Sequence, residues 1–249
     1  MNMGRITETV KVLIIINVLF FAGSYFIGDT AFKLFAMYPY DNPNFELWQP
    51  ITSMFMHGGL MHILFNMYAL FAFGSPLEAQ WGRNKFLFFY FSAGIGASFI
   101  HLLVTHFQFQ SAYDAIVNAG FNESQITQLL STGQYNTAIL DSVSQSTIQN
   151  FYDGYHTPAV GASGAIYGVL VAFGIMYPNA ELMLLFLPVP IKAKFFIPGI
   201  ILIDLFSGLT GFSLFGQNIA NWAHIGGALF GFIMAWYWKK NSFDNTRWY

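Results

Sequence analysis

Gly161-Ala162-Ser163-Gly164-Ala165-Ile166-Tyr167-Gly168 opens an apolar segment that runs to Tyr177. The run is long, carries no charge and is punctuated by glycines, which is how a helix buried among other helices in a membrane reads. It also sets a serine hydroxyl beside a glycine, where little crowds it and a second backbone or a substrate can come close. Two readings follow. Small residues line contacts between membrane helices, so the stretch can be packing alone. Alternatively Ser163 is a nucleophile, which requires a base from another part of the chain.

The rest of the chain supplies the context. Of 249 residues, 55% are hydrophobic, 19% aromatic and only 9% charged, against about 25% charged in soluble domains. A net charge of -2 without a basic run argues against a nucleic-acid partner. There is no cysteine, which excludes disulfides, thiolate metal sites and cysteine nucleophiles.

About 20 apolar residues cross a bilayer, and six segments approach that length: Val10 to Ile27, Gly58 to Phe73, Phe86 to His106, Gly161 to Tyr177, Phe195 to Phe212 and Ile219 to Trp238. The fold class expected is an all-α membrane protein, a six-helix bundle forming one domain over residues 1–249. Arg5, Lys11, Arg83, Lys85, Lys192, Lys194, Lys239, Lys240 and Arg247 fall on one side of this topology and Lys33 alone on the other. That asymmetry places both termini in the cytoplasm and starts spans two, four and six at the outer face. The amino end has neither an extra leading span nor a transit-like character, which favours a bacterial plasma membrane.

Two loops are long. Residues 28–57 mix Asp and Glu with Phe32, Leu34, Phe35, Leu47 and Trp48, so partial embedding at the interface is expected. Residues 108–160 are polar and contain neither Lys nor Arg, and they are expected to form an extramembrane insertion with short helices. Asn122 and Gln125 have capping-box spacing, followed by Ile126, Leu129 and Leu130 on one face.

Polar groups inside a bilayer are costly and usually functional. Ser163 lies near the outer end of span four, His224 near that of span six, and His57, His62 and Asn66 at that of span two. His62 and Asn66, four residues apart, share a helix face. At 1.5 Å per residue, Ser163, His224, His62 and Asn66 fall within about 10 Å of one depth. The chemistry is coherent. His224 can take the Ser163 proton, while His62, Asn66 and the Ser163 amide can stabilise an oxyanion at a helix amino terminus. Asp204, in span five, reads as lying toward the opposite half, so no acid is expected to orient His224 and the pair reads as a dyad. His57 reads as a structural partner of the first loop, and His101 and His106 have no evident partner.

These residues resemble the rhomboid intramembrane serine proteases. The resemblance rests on Gly161-Ala162-Ser163-Gly164 with Tyr167 and Gly168, on Ala223-His224 followed by Gly227 and Gly231, and on His57, His62 and Asn66. Trp48-Gln49, Leu77-Glu78, Gly82, Phe86 and Tyr90 add to it. It covers residues 5–107 and 159–238, and the 108–160 loop is longer than the family's minimal form.

The resemblance implies a water-filled site open to the outer face, with Ser163 as nucleophile, His224 as general base, and His62, Asn66 and the Ser163 amide as oxyanion hole. It implies that Tyr167 stacks beneath His224, that Gly227 lets spans four and six pack closely, and that span five with the loop Gly208–Gln217 forms the gate and cap. Substrates would be single membrane-anchored helices that unwind near the surface, with small side chains favoured before the cut bond. Neither cofactor nor metal is implied. Two other classes stay open: a catalytically inactive relative that binds membrane clients, and a six-helix transporter.

Overall fold

The computed structural model describes residues 5–184, 187–212 and 220–241. The chain begins with α1 (Glu8–Ile27) and turns at Gly28 into the short α2 (Asp29–Phe35). A braced loop leads through α3 (Gln49–Thr52) and a 3-10 turn (Ser53–Phe55) to α4 (Leu60–Ala69). α4 runs through a widened π turn, Leu70–Gly74, into α5 (Ser75–Trp81), so that Leu60–Trp81 is one helical segment. The widening precedes Pro76, which lacks the N–H that the Ala72 carbonyl needs.

Then comes α6 (Arg83–Asn118), 36 residues long, or about 54 Å. The expected third span ended at His106; the helix continues three turns further and carries the start of the 108–160 stretch with it. That stretch goes on with α7 (Glu123–Thr132), a 3-10 turn (Thr137–Asp141) and α8 (Gln145–His156). α9 (Ser163–Met176) follows, then an antiparallel hairpin of β1 (Glu181–Leu184) and β2 (Leu187–Lys192), α10 (Ala193–Thr210) and α11 (Asn221–Asn241). The hairpin is a minor departure from an otherwise helical fold. Its strands pair Glu181 with Lys192 and Leu182 with Ile191, and no periodicity announces a ladder that short.

Among the described residues, α1, the α4–α5 segment, α6 and α10 are long and apolar enough to cross a membrane, while α9 is apolar but shorter. α9 is the core of the bundle. Ala165, Ile166 and every residue from Gly168 to Phe173 are buried, against Phe89, Tyr90 and Ala93 of α6, Ala228 and Ala235 of α11, and Ile197 of α10. A strip of small residues sets how close the helices come. A methyl on Gly227 would stand 1.8 Å from the Gly164 carbonyl oxygen, and one on Gly231 would stand 2.4 Å from the Gly168 Cα. One on Gly164 would meet Ala97 at 2.6 Å. α9 and α11 therefore touch backbone to backbone, with α6 pressed against both.

Glu78 ties the start of α1 to α5. Its carboxylate accepts from the Thr7 hydroxyl and from the N–H groups of Thr9 and Val10, at 3.0 and 2.9 Å. Amide donors at a helix start have no partner within the helix, and an acid there also meets the positive end of the helix dipole. At the same end of the bundle, where Trp81 meets Trp238, Lys239 donates to the Ile175 carbonyl at 2.9 Å, closing the last turn of α9.

The loop before α4 is organised by buried Gln49. Its side chain accepts from the Tyr38 N–H and donates to the Lys33 and Asn44 carbonyls. Trp48 Nε1 donates to the Leu34 carbonyl at 2.8 Å. The 108–160 stretch has a small core of its own, in which Ile116, Phe121, Ile126, Leu129, Ile148 and Phe151 are buried. Asn122 and Gln125 exchange backbone and side-chain hydrogen bonds at the start of α7. Phe151 stacks on Phe109 of α6, centroids 4.6 Å apart.

Candidate active site

Ser163 is the first residue of α9. It is held there by Gly161, whose φ of 126° is a backbone conformation that side chains rarely adopt. The Gly161 N–H donates to the Ser53 carbonyl at 2.9 Å. Two residues earlier, Met37 and Ala159 exchange backbone hydrogen bonds of 2.9 and 2.8 Å. The strand of chain entering α9 is thus pinned to the braced loop, and the serine's position is fixed from both sides.

His224 lies in the first turn of α11, and its Nε2 is 2.8 Å from Ser163 Oγ. The Tyr167 ring, one turn into α9, stacks flat on the imidazole at 4.1 Å and 10°. The close contact of α9 with α11 makes this geometry possible, because each residue larger than glycine along the seam would push His224 away from Ser163.

Asp204 corrects the sequence reading. It was expected to lie toward the far half of its helix, with no acid near His224. It is instead past the midpoint of α10 on the site side, and its Oδ1 is 3.2 Å from His224 Nδ1. Its Oδ2 accepts a hydrogen bond from the Tyr167 hydroxyl. The two side chains are nearly removed from solvent, His224 at 11% and Asp204 at 9% exposure. The signal that could have found it is its chemistry, since an aspartate within an apolar span calls for a partner.

His62 and Asn66 lie on α4. A Cβ on Gly161 would stand 2.7 Å from His62 Nε2 and 3.5 Å from Ser163 Oγ, so the His62 imidazole and the serine flank the same glycine. Asn66 is buried, and its Nδ2 has no hydrogen-bond partner among the described residues. His57 is buried just before α4. Its Nδ1 is 3.3 Å from the Phe55 carbonyl oxygen, and its ring meets the His62 ring edge-on at 5.0 Å. Burial, and then the neighbouring His62, push its imidazole down to about 4, so it is neutral at physiological pH.

His106 has a partner after all: its Nδ1 is 2.8 Å from Asp41 Oδ2, and Gln110 donates to Asp41 Oδ1. His101 Nδ1 is buried without a partner among the described residues. No group of three or more His, Asp or Glu is placed to hold a metal among the described residues. The expected cap, Gly208–Gln217, lies outside the described residues from 213 onward.

A cavity opens at Ser163, walled by Met37, Ser53, Met54, Ala97, Ser98 and Gly161. Its walls are mostly small side chains.

The family model of the rhomboid domain matches residues 44–119 and 126–241. The chain belongs to the rhomboid family. Among the relatives of this rhomboid is the mouse presenilin-associated rhomboid-like protein, mitochondrial, 28% identical over 188 residues, which are 75% of this chain and 36% of the relative. Another is rhomboid protein 1, mitochondrial, of Saccharomyces cerevisiae, 25% identical over 190 residues, or 76% of this chain and 41% of the relative. A mitochondrial rhomboid protein of Schizosaccharomyces pombe is 25% identical over 217 residues, 78% of this chain and 52% of that one. This rhomboid therefore spans a third to a half of the length of these curated relatives.

The comparisons correct one expectation. A bacterial plasma membrane was inferred from the amino end, but the relatives are mitochondrial by name. A match to only part of a longer relative also removes the weight that the amino end was given. Residence in a membrane, crossed several times, stands.

Proposed function

We propose that this rhomboid is an intramembrane serine endopeptidase that cuts membrane-anchored substrates within or near a transmembrane helix. The observation that carries the reading is the 2.8 Å contact of Ser163 Oγ with His224 Nε2 at the start of a buried helix. Ser163 is the nucleophile and His224 the base that takes its proton. The carbonyl oxygen of the cut bond becomes an oxyanion. Donors for it are the Ser163 N–H at the helix start, His62, and the unpartnered Asn66 Nδ2. Tyr167 holds the imidazole ring, and Gly161, Gly164 and Gly227 keep the backbones close enough for the contact. His57 supports His62.

α9, at 14 residues, is about 21 Å long, shorter than the roughly 30 Å hydrocarbon layer. A site at its first residue is reached by a substrate that leaves the membrane interior, which a helix does by unwinding. The small-walled cavity beside Ser163 suits a small side chain before the cut bond. The 108–160 stretch, with its polar surface and separate core, stands outside the bilayer beside this entrance. The relatives support a mitochondrial membrane as its compartment.

A client-binding or transport role has no comparable observation behind it. The deciding experiment is labelling with a fluorophosphonate probe, together with cleavage of a model transmembrane substrate in detergent, for wild type and Ser163→Ala. Labelling and cleavage by wild type, both absent in the variant at an unchanged thermal midpoint, are expected. A folded wild type that neither labels nor cleaves overturns the reading.

A further inference from the structure

We propose that Asp204 is a positioning residue of the active site, so that the catalytic group is a relay of Ser163, His224 and Asp204, with Tyr167 bound to its acidic end. The inference rests on the protease reading above and adds to it a residue that neither the GxSG stretch nor the AHxxG stretch contains.

An ionised carboxylate only accepts hydrogen bonds, and a neutral imidazole has one nitrogen that donates and one that accepts. Asp204 Oδ1 faces His224 Nδ1 at 3.2 Å, so Nδ1 carries the proton. Nε2 is left with its lone pair, aimed at Ser163 Oγ at 2.8 Å. This is the tautomer that general-base catalysis needs, and the acid selects it. With Asp204 absent, the bare imidazole can hold its proton on either nitrogen, and the form with Nε2–H cannot accept one from the serine.

Asp204 is itself held. Its second oxygen accepts from the Tyr167 hydroxyl, while the Tyr167 ring stacks on His224. One side chain of α9 thus fixes both the acid from α10 and the base from α11. No lysine or arginine pairs with Asp204 among the described residues. Its charge is therefore available to the imidazole. Besides Asp204 and Tyr167, His62 and His101 are the ionisable side chains near His224 among the described residues.

Oγ attacks the carbonyl carbon, forming a C–O bond while the C=O π pair moves to oxygen. The Oγ–H proton goes to Nε2, and the resulting imidazolium keeps its Nδ1 proton, donated as a hydrogen bond to the Asp204 carboxylate, which remains ionised. On collapse the C–N bond breaks, and the Nε2 proton goes to the leaving nitrogen. Water then attacks the carbon of the acyl ester on Ser163, giving its proton to Nε2; the C–Oγ bond breaks, the acid product leaves, and the Nε2 proton returns to Oγ.

The test compares wild type, Ser163→Ala, Asp204→Asn and Asp204→Glu for cleavage and for fluorophosphonate labelling between pH 5 and 9. Asn keeps the shape, but its amide can donate to Nδ1 and stabilise the wrong tautomer. The expected result is a kcat for Asp204→Asn lowered by about 10² to 10⁴ with KM little changed. The pH profile of its labelling differs from that of wild type, because no carboxylate faces the imidazole. Asp204→Glu regains part of the rate. A purely structural aspartate would lower the thermal midpoint without changing that profile. Should Asp204→Asn not fold, ¹⁵N spectra of histidine-labelled wild type carry the test: His224 protonated on Nδ1 supports the relay, and protonation on Nε2 overturns it. An Asp204→Asn variant within about threefold of wild type, its pH profile unchanged, also overturns it while leaving the protease reading intact. A wild type silent in both assays removes both.

Discussion

At the scale of single residues, the bundle contains polar atoms that a stable fold alone does not require. Asn66 Nδ2 is the clearest, a buried donor with no partner among the described residues. Leaving such a donor unpaired costs about 1–3 kcal/mol. Its removal should therefore not destabilise the fold through lost hydrogen bonding. For Asn66→Ala, the expected outcome is a thermal midpoint equal to or above wild type, with kcat lowered by about 10²–10³, the loss seen when one oxyanion donor is deleted. Melting curves and cleavage rates of the same preparation check it; equal kcat would remove Asn66 from the oxyanion site. Ser163, His224, His62 and Asn66 were legible in the sequence because each is a polar residue in an apolar span at a countable depth. Asp204 was legible as an anomaly but not as a partner. Its distance to His224 depends on the tilt and rotation of α10 against α11, which residue counting along each helix does not supply. His106 was missed for a similar reason, since Asp41 reaches it from a loop whose path no periodicity describes.

At the scale of elements, catalytic geometry depends on how closely α9 and α11 approach. The glycine pattern in both helices was readable as close packing. Which glycines face each other became visible only in the fold, with Gly227 over the Gly164 carbonyl and Gly231 over Gly168. Gly227→Ala puts a methyl into space occupied by backbone, and backbone cannot rotate away as a side chain can. The helices must separate, at a cost of about 1–3 kcal/mol for overpacking. Three residues along α11, His224 moves with them. The thermal midpoint should fall and fluorophosphonate labelling should drop steeply even at temperatures where the variant is folded. By contrast, Gly59→Ala, at a position with open space around the would-be Cβ, should leave both nearly unchanged, which controls for glycine substitution as such. The continuation of α6 to Asn118 belongs to this scale too. The residues after His106 lose the apolar character that marked a span, but nothing in them breaks a helix, so the membrane boundary and the helix boundary fall in different places.

At the scale of the whole molecule, two cores share the helix α6. The larger one surrounds α9, and the smaller one joins the upper part of α6 to α7 and α8. Beyond the shared helix, α7 and α8 meet the rest of the bundle, among the described residues, through a few polar links to the first loop, chiefly Asn42 Nδ2 to the Tyr155 carbonyl at 2.7 Å and the Met37–Ala159 bridge. A small core joined by so few contacts can open without the rest. Phe151 is its most informative member, being buried in the small core and stacked on Phe109. Phe151→Ala removes a buried ring, a change that costs about 3–5 kcal/mol in well-packed cores. Limited proteolysis should then cut between residues 119 and 157 far faster than in wild type. The fluorophosphonate label on Ser163 should be retained, because the bundle that positions Ser163, His224 and Asp204 does not draw on that core. If labelling falls in step with proteolysis, the Met37–Ala159 bridge transmits the loss to Gly161 and the serine, and the two cores are one cooperative unit.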